Sequence, residues 1–457
     1  MNGGEYVGKA VMMDLAETAA AVGGTVYGGP VRYSGVTTDS RSVDAGDLFI
    51  ALKGERFDGH EYIDTAVRTG AVAVLVSRRV QSVLPVAQVV VEDTRLALGR
   101  LAAHWRNRFA MPLVALTGSN GKTTVKEMLA AILAAHSGGA EAVLATRGNL
   151  NNDIGMPLTL LELRERHRFA VIEMGMNHEG EIDYLTRLAR PSVAVVNNAH
   201  RAHVGILGSV EAIARAKGEI YAGLGPDGVA VVNADDPFAG YWRGLNAGRR
   251  VITFGLRDAD VRTAALPTRF ITPSGEFGVS LQVPGEHNLR NALAACAAAC
   301  ALGVPARAMQ AGLERFGGVP GRLQRRRTTT GALVIDDSYN ANPESMKAAI
   351  QVLAAAKGRR VFVMGDMGEL GADGARMHSE VGSFARAAGI DALFALGQAS
   401  RNAVDAFGAG GRYFPDAASL EEAARREAGS GATILVKGSR FMQMERIADA
   451  LCEKGRA

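Results

Sequence analysis

The sequence predicts an α/β protein of three domains, each with a sheet flanked by helices. Three observations predict it. At 457 residues the chain is too long to close over a single core. From residue 112 onward, short apolar runs of strand character alternate with longer runs of helical spacing, the pattern of parallel strands joined by crossover helices. Between the first of these strands and its helix lies a glycine turn, Thr117-Gly118-Ser119-Asn120-Gly121-Lys122-Thr123-Thr124.

That turn is the sharpest local signal. The apolar run 113–116 precedes it, and Val125, Met128, Leu129, Ile132 and Leu133 follow at helical spacing. Strand, glycine turn, Lys-Thr and helix form the arrangement that cradles a polyphosphate. Glycines admit backbone N–H groups to the oxygens, the helix N-terminus adds partial positive charge, and Lys122 adds a full one. A Thr hydroxyl completes the shell of Mg²⁺. The strict pattern has a further glycine at 116, where Leu stands, so the loop is a variant. It points to a nucleoside triphosphate and leaves the reaction open.

Bulk composition narrows the class. With 47% apolar and 21% charged residues the chain reads as an ordinary globular protein. A net charge of +4 gives no case for a nucleic-acid partner. Glu5, Lys9 and Asp14 interrupt the N-terminus, which argues against a secretory signal, and no apolar run reaches membrane-spanning length. Cys296 and Cys300, four apart on an Ala-rich helix, and Cys452 lack further Cys or His ligands at metal spacing. They read as small core residues of a reducing compartment. The expectation is a cytoplasmic protein without a membrane span, acting as a monomer on small molecules.

Residues 1–110 form the first predicted domain, a small α/β unit with strands at 48–52, 71–76 and 89–91. Helices are expected at 60–69 and 94–108, the second with Leu96, Leu98, Leu101 and Trp105 on its apolar face. Its polar loops, Thr37–Arg41 and Lys53–His60, suit turn chemistry and phosphate or sugar binding equally. The second domain, 111–318, carries strands at 113–116, 170–173, 193–197, 229–232 and 251–254. It has helices at 179–188, 210–224 and 288–302, a short β excursion at 260–284, and a linker at 317–321. The third, 319–457, is a Rossmann-like, doubly wound unit with strands at 333–335, 361–364, 393–396 and 434–436. Its helices are expected at 343–356, 375–388, 418–427 and 441–452.

Ligands of such sheets gather at the carboxyl ends of the strands, and polar clusters sit there. Glu173 ends its strand, where a nucleotide-bound Mg²⁺ finds a carboxylate; a solvated strand-end Glu is the plainer reading. His200 and His203 follow the next strand and suit a metal, a base or a loop. Lys217 lies on a helix, where a solvated lysine is usual. Asn149-Leu150-Asn151-Asn152-Asp153 supplies donors and acceptors for a substrate, or for Asx-turns. The third domain presents Asp336–Pro343, Gly365–Gly371 and Lys437–Arg440 at its strand ends.

Together these residues carry a resemblance. The loop 117–123, Ala216-Lys217-Gly218-Glu219, His287-Asn288 and Asp337-Ser338-Tyr339-Asn340-Ala341-Asn342-Pro343 resemble the Mur ligase family of ATP-dependent peptidoglycan precursor ligases. The Asp337–Pro343 string, Asn149–Asn152 and Gly365–Gly371 resemble the branch that adds D-alanyl-D-alanine to a UDP-N-acetylmuramoyl tripeptide. The resemblance implies a small UDP-binding domain, a central P-loop ATPase domain and a C-terminal domain that receives the dipeptide. It implies that Lys122 holds the β- and γ-phosphates, that Thr123, Glu173 and His203 form the Mg²⁺ site, and that Lys217 is carbamylated by CO₂. Asn288 takes the adenine side, Arg322 and Asp337 meet the ATP phosphate and ribose, and Asp39-Ser40-Arg41 is the UDP-sugar turn. Asn149, Asn151, Asn152 and Asn340 are expected to meet substrate. Val204-Gly205 stand where the family carries Leu-Glu, so His200 stays a second candidate for the metal-site histidine. Two rivals differ in what they need. Another amide ligase of the same family, of the amino-acid-adding or folylpolyglutamate type, would lack the Asp337–Pro343 string. A nucleotide-driven switch or motor would need a guanine-reading Asn-Lys-x-Asp, which is absent, or an Asp-rich second motif, which Asp235-Asp236 imitate.

Overall fold

The structure, a computed structural model, describes residues 10–55, 57–264 and 268–452. Glu5, Lys9 and Arg56, and residues 265–267 of the β excursion, lie outside them. Valine- and leucine-rich strands build the sheets. The central sheet is fully parallel and six-stranded, in the order Arg250–Phe254, Val229–Asn233, Val193–Val196, Leu113–Thr117, Phe169–Glu173, Val143–Ala145. Its four inner strands are buried on both faces, which is why they read as continuous apolar runs. Leu113–Thr117 lies between Phe169–Glu173 and Val193–Val196, with Leu116 opposite both Glu173 and Val195. The ends of three neighbouring strands therefore come level, and the phosphate loop, Glu173 and the turn after Val196 share one edge.

The N-terminal sheet has five strands in the order Thr25–Tyr27, Ala87–Val90, Ala73–Val76, Asp47–Ile50, Gly35–Thr37, antiparallel only at its first pair. The C-terminal sheet has six, in the order Gln324–Arg327, Leu333–Asp337, Thr433–Lys437, Arg360–Gly365, Ala392–Leu396, Gly411–Phe414. Its first pair is antiparallel and the rest parallel. The expected β excursion is a three-stranded antiparallel sheet, Arg262–Thr263, Arg269–Thr272 and Gly275–Gly278.

Several elements correct the sequence reading. The edge strand Gln324–Arg327 was not expected, because a run of arginines has no apolar alternation; Arg326 is held there by Asp336 and Asp449. The helix expected at 210–224 ends at Gly218 and continues as a 3-10 turn, Glu219–Gly223. A Cβ on Gly218 would approach Leu245 and Trp242 at 2.8 and 3.3 Å, so a glycine suits this close passage. Leu96, assigned to the apolar face of its helix Thr94–Arg106, is 47% exposed while Leu98 and Leu101 are buried. Helices Leu15–Val22, Gly155–Leu161, Ala306–Arg315 and Arg401–Phe407 are additional. They are short, and three are rich in small residues that leave little periodic signal.

The cores show how the parts are joined. One apolar cluster runs from Leu48 and Leu75 in the first sheet through Leu98, Leu101 and Trp105 to Leu113, Ile172 and Trp242 in the second. Trp105 donates its indole N–H to Leu163 O at 3.1 Å, and the buried Arg106 donates Nε–H to Ala189 O at 3.0 Å. The C-terminal residues instead form two clusters of their own, and among the described residues Val204 is the one earlier hydrophobic side chain packed against them. A fully buried aliphatic side chain contributes about 1.5–3 kcal/mol, whereas a partly exposed ion pair contributes about 0–1 kcal/mol. Apolar packing thus welds the first two sheets together, and the third is attached chiefly through polar groups. Calorimetry on the ligand-free protein should therefore resolve a separate unfolding transition for the C-terminal part; one coincident transition for the whole chain contradicts this division.

Candidate active site

The strand Leu113–Thr117 delivers the phosphate loop to the sheet edge, and the helix Lys122–Ser137 carries its end away. Gly121 caps that helix with φ 78°, a left-handed conformation that suits glycine. A Cβ there would run into the Asn291 and Asn197 amides, so the loop closes against them. Asparagines fix its shape. Asn197 Nδ2 donates to Asn120 O at 2.9 Å and to Asn291 Oδ1 at 3.0 Å. The Asn120 N–H donates to Asn198 Oδ1 at 2.9 Å, and Asn233 Nδ2 donates to Asn197 O at 2.8 Å. Ser119 donates its hydroxyl to His200 O and accepts the His200 N–H at 2.9 Å. Lys122 curls over the loop and donates to Gly118 O at 2.8 Å. Gly118 lies against Asn197, and Thr124 is buried at the helix start.

Thr123 joins the loop to the rest of the site. Its hydroxyl donates to Glu173 Oε2 at 2.9 Å and accepts from Arg322 Nη2 at 2.9 Å. Glu173, buried at its strand end, also accepts from Asn151 Nδ2 at 2.7 Å, and its N–H donates to Thr146 Oγ1. Arg322 lies over the Tyr339 ring at 4.3 Å. Thr117 Oγ1 and Arg322 Nε are buried without hydrogen-bond partners among the described residues. The solvated reading of Glu173 is therefore wrong: it is an organised, buried carboxylate.

Lys217 is likewise no solvated helix lysine; it is 2% exposed. Burial holds its amine well below the usual lysine range, and the charge of Lys122 acts in the same direction. Enclosure lowers Lys122 too, partly offset by the Glu173 carboxylate. Glu219, two residues beyond Lys217, plays a structural part instead. It accepts the N–H groups of Gly180 and Asp183 at the start of the helix Glu181–Ala189. Burial raises its carboxyl. Asp235 and Asp236 also serve structure. Asp235 pairs with Arg290, and the buried Asp236 accepts the Ala199 and Phe238 N–H groups.

A cleft of about 1480 Å³ opens between the three sheets. Ser119, Asn120, Gly121, Lys122, Glu173, His203 and Lys217 line it, as do Asn149, Asn151, Asn152, Asn288, Arg322, Asp337 and Asn340. Asn152 Oδ1 accepts the Gly155 N–H at 2.8 Å and starts a helix, so its Asx-turn reading holds. Asn288 donates to Pro284 O at 2.7 Å and accepts from Asn291. Asp337 accepts the Leu323 N–H and pairs with Lys437 at 2.6 Å; Lys437 also donates to Asn340 O. Asp39, Ser40 and Arg41 are not among the cleft residues. Arg41 folds back on Asp39 in an exposed pair, and this side of the cleft is walled by Asp93, Arg95 and Leu96. The exposed Leu96 thus has its explanation at the cleft wall. His60 of the second polar loop is buried on Asp58 and Ser77, which is turn chemistry.

Arg201, Glu344 and Glu380, which the sequence did not single out, join Asn342, His203 and Glu369 in holding the C-terminal part in place. Asn342, which caps the helix Pro343–Ala354, donates to Asn120 Oδ1 at 2.7 Å. Arg201 reaches Glu344 and Glu380, and His203 Nδ1 lies 2.6 Å from the Glu369 carboxylate. Gly205 donates its N–H to Glu369 O at 3.0 Å, and a Cβ there would sit 2.7 Å from that oxygen; this contact accounts for a glycine at 205. The signal for Arg201 and Asn198 was their place just after a strand, but their partners are more than a hundred residues away or on another loop.

The comparisons with known proteins agree with this architecture. The Mur ligase family, catalytic domain, matches residues 32–106; the Mur ligase middle domain matches 116–299; and the Mur ligase, glutamate ligase domain, matches 321–440. The chain belongs to the Mur ligase family. Within it, the chain is 44% identical to the UDP-N-acetylmuramoyl-tripeptide--D-alanyl-D-alanine ligase of Escherichia coli K12, over 97% of this chain and 99% of the relative. The enzyme of that name from Bacillus subtilis is 38% identical over 92% of this chain and 93% of the relative. The crystal structure of MurF from Acinetobacter baumannii superposes with a TM-score of 0.89 at 40% identity, covering 96% of this chain and 98% of that one. MurF ligase from Thermotoga maritima in complex with ADP superposes with a TM-score of 0.80 at 29% identity, covering 91% and 96%.

Two outcomes test the site geometry. Gly121→Ala should weaken nucleotide binding by roughly tenfold or more in titration calorimetry, since left-handed strain costs about 1–2 kcal/mol before any clash with Asn291. Gly208→Ala, with φ 82° and open space around it, supplies the strain without the clash and should leave binding intact. Separately, the Arg201 guanidinium holds the Glu380 carboxyl down at about 2, with Lys347 adding to it. Its contribution to stability is present in full above the ordinary value of 4.5 and is lost as pH falls from there towards 2. Glu380→Gln should therefore melt below the unsubstituted protein at pH 7, and the gap should close across that window.

Proposed function

We propose that this chain is the ATP-dependent ligase that joins D-alanyl-D-alanine to the terminal carboxylate of a UDP-N-acetylmuramoyl tripeptide, a step of peptidoglycan precursor synthesis. The observation that carries the reading is the convergence of the phosphate loop, the buried Glu173 and the polar strand ends of the third sheet on one cleft. The names of the E. coli and B. subtilis relatives supply the substrates, and the ADP complex of the T. maritima relative supports ATP as the nucleotide. We divide the chain into a UDP-sugar domain at 1–110, an ATP domain at 111–318 and a dipeptide domain at 319–457.

In the first step a carboxylate oxygen of the tripeptide forms a bond to the γ-phosphorus of ATP. The bond to the β,γ-bridging oxygen breaks, and ADP and an acyl phosphate result. The dipeptide amine then attacks the acyl carbon, the carbon–oxygen bond to phosphate breaks, and phosphate and a proton leave. Such chemistry needs positioning and charge neutralisation more than covalent help. Lys122 offers its ammonium to the phosphates, Arg322 approaches from the third sheet, and Asn288 stands at the adenine side. Asp337 is placed for the ribose, and Asn149, Asn151, Asn152 and Asn340 for the peptide substrates.

The donor set fits Mg²⁺. Thr123 Oγ1 and Glu173 Oε2 are hard oxygens at one point of the cleft. Among the described residues no three His, Cys, Asp or Glu side chains converge, which suits an ion that takes most ligands from phosphates and water. When bound, Mg²⁺ neutralises phosphate charge. His203, whose Nδ1 lies 2.6 Å from the Glu369 carboxylate, is assigned to the same ion. Burial shifts Lys217 towards its neutral amine, the form that reacts with CO₂; the carbamate is an anion whose oxygens suit the same ion.

Phosphate release should require both the UDP-muramoyl tripeptide and D-alanyl-D-alanine, with ADP as the nucleotide product. Release without either acceptor, or AMP formation, overturns the reading. Lys217→Arg should abolish activity as fully as Lys217→Ala, because a guanidinium stays protonated and forms no carbamate; activity in the arginine variant would remove Lys217 from this role.

A further inference from the structure

The turn 198–203 is bonded on two sides. On one side it holds the phosphate loop: Asn198 O and Oδ1 accept the N–H groups of Ser119 and Asn120, and the His200 N–H and C=O both meet Ser119 Oγ. On the other side Arg201 leaves the turn and crosses to the third sheet's helices. Its Nε donates to Glu344 Oε1 at 2.6 Å, and Nη1 and Nη2 donate to the two Glu380 oxygens at 3.0 and 3.1 Å. Glu344 lies in the first turn of Pro343–Ala354, Glu380 on Gly374–Ala387, and Lys347 also binds Glu380. One planar guanidinium therefore ties two helices of the C-terminal part to a turn that is itself hydrogen-bonded to the phosphate loop.

Other polar contacts cross this border, among them His203 of the same turn against Glu369 and Arg322 against Thr123, but Arg201 alone among these spans two helices of the C-terminal part. Among the described residues, Val204 is the one earlier side chain packed against the C-terminal apolar clusters, and Gly285 passes close to Val352. The Asn120–Asn342 pair touches the phosphate loop directly, and the Gly205–Glu369 bond is between backbones. The Arg201 side chain is 23% exposed and its partners 27% and 33%. That is dry enough for the pairs to hold, and wet enough for them to part without stranding buried charge.

We propose that Arg201 is the positioning residue that couples occupancy of the phosphate loop to docking of the C-terminal domain. A nucleotide that settles the loop settles Ser119 and the turn, and Arg201 then holds Glu344 and Glu380 in register. The docked domain presents Arg322 to Thr123 and closes the cleft. Arg201 touches no reacting atom; it acts through the domain it holds. The kinetic part of this inference rests on the ligase reading above, and the docking part does not.

The test uses the full chain, with small-angle scattering in the presence and absence of an ATP analogue, and steady-state kinetics. Arg201→Met should leave a larger radius of gyration with the analogue than the unsubstituted protein shows. It should lower kcat by roughly tenfold or more while KM for ATP stays within about twofold, a split expected of a group that acts after nucleotide binding. Glu380→Gln, on the far side of the border, should move both readouts in the same direction, and the double variant should be no worse than Arg201→Met alone. If Arg201→Met does not fold, the paired Glu344→Gln and Glu380→Gln variant carries the test. Unchanged compaction in these variants, or additive losses in the double variant, overturns the coupling. Absence of ligase activity in the unsubstituted protein overturns the function and leaves the scattering result to judge Arg201.

Discussion

The hydroxyl of Thr123 is the point on which the site depends. It donates to Glu173 at the end of one strand and accepts from Arg322 of the C-terminal part, while its backbone starts the helix that follows the phosphate loop. A single oxygen thereby sets the distance between the loop, the carboxylate and the third sheet. Parallel strands make this possible, because Leu116 and Glu173 are register partners and their ends emerge together. Asn151 locks the other Glu173 oxygen, so the carboxylate has little freedom of its own left.

Around that point the fold separates what must be rigid from what must move. The first two sheets share an apolar core, and the phosphate loop is fastened by a set of asparagine amides whose donors and acceptors match one another. The C-terminal part has its own cores and meets the rest through amides, ion pairs and one valine. Reversible docking follows from that difference in chemistry. A ligase that must admit three substrates and then exclude water has use for both kinds of border.

Charge is placed with similar economy. Two lysines face the cleft from the same domain, and the charge of Lys122 adds to the burial that lowers the Lys217 amine. Burial lowers Lys122 as well, but the Glu173 carboxylate partly offsets it. The two cations thereby come to differ through environment alone, one suited to phosphate and the other to chemistry that needs a free amine.

The sequence by itself determined the architecture and pointed to a chemistry. Alternating strand and helix patterns implied parallel sheets, the glycine turn pointed to a phosphate, and Glu173, Lys217 and the Asp337–Pro343 string stood at strand ends or within short motifs where local spelling is informative. Edge strands such as Gln324–Arg327 escaped because their stability comes from neighbours and ion pairs rather than from their own alternation. Tertiary structure alone decided that Lys217 is buried, that Leu96 faces the cleft, and that Asp39-Ser40-Arg41 stands apart from it. It also decided that Arg201 crosses to Glu344 and Glu380, residues 143 and 179 positions away. Contacts at such separation follow from how whole sheets are set against one another, and no local pattern of residues encodes that.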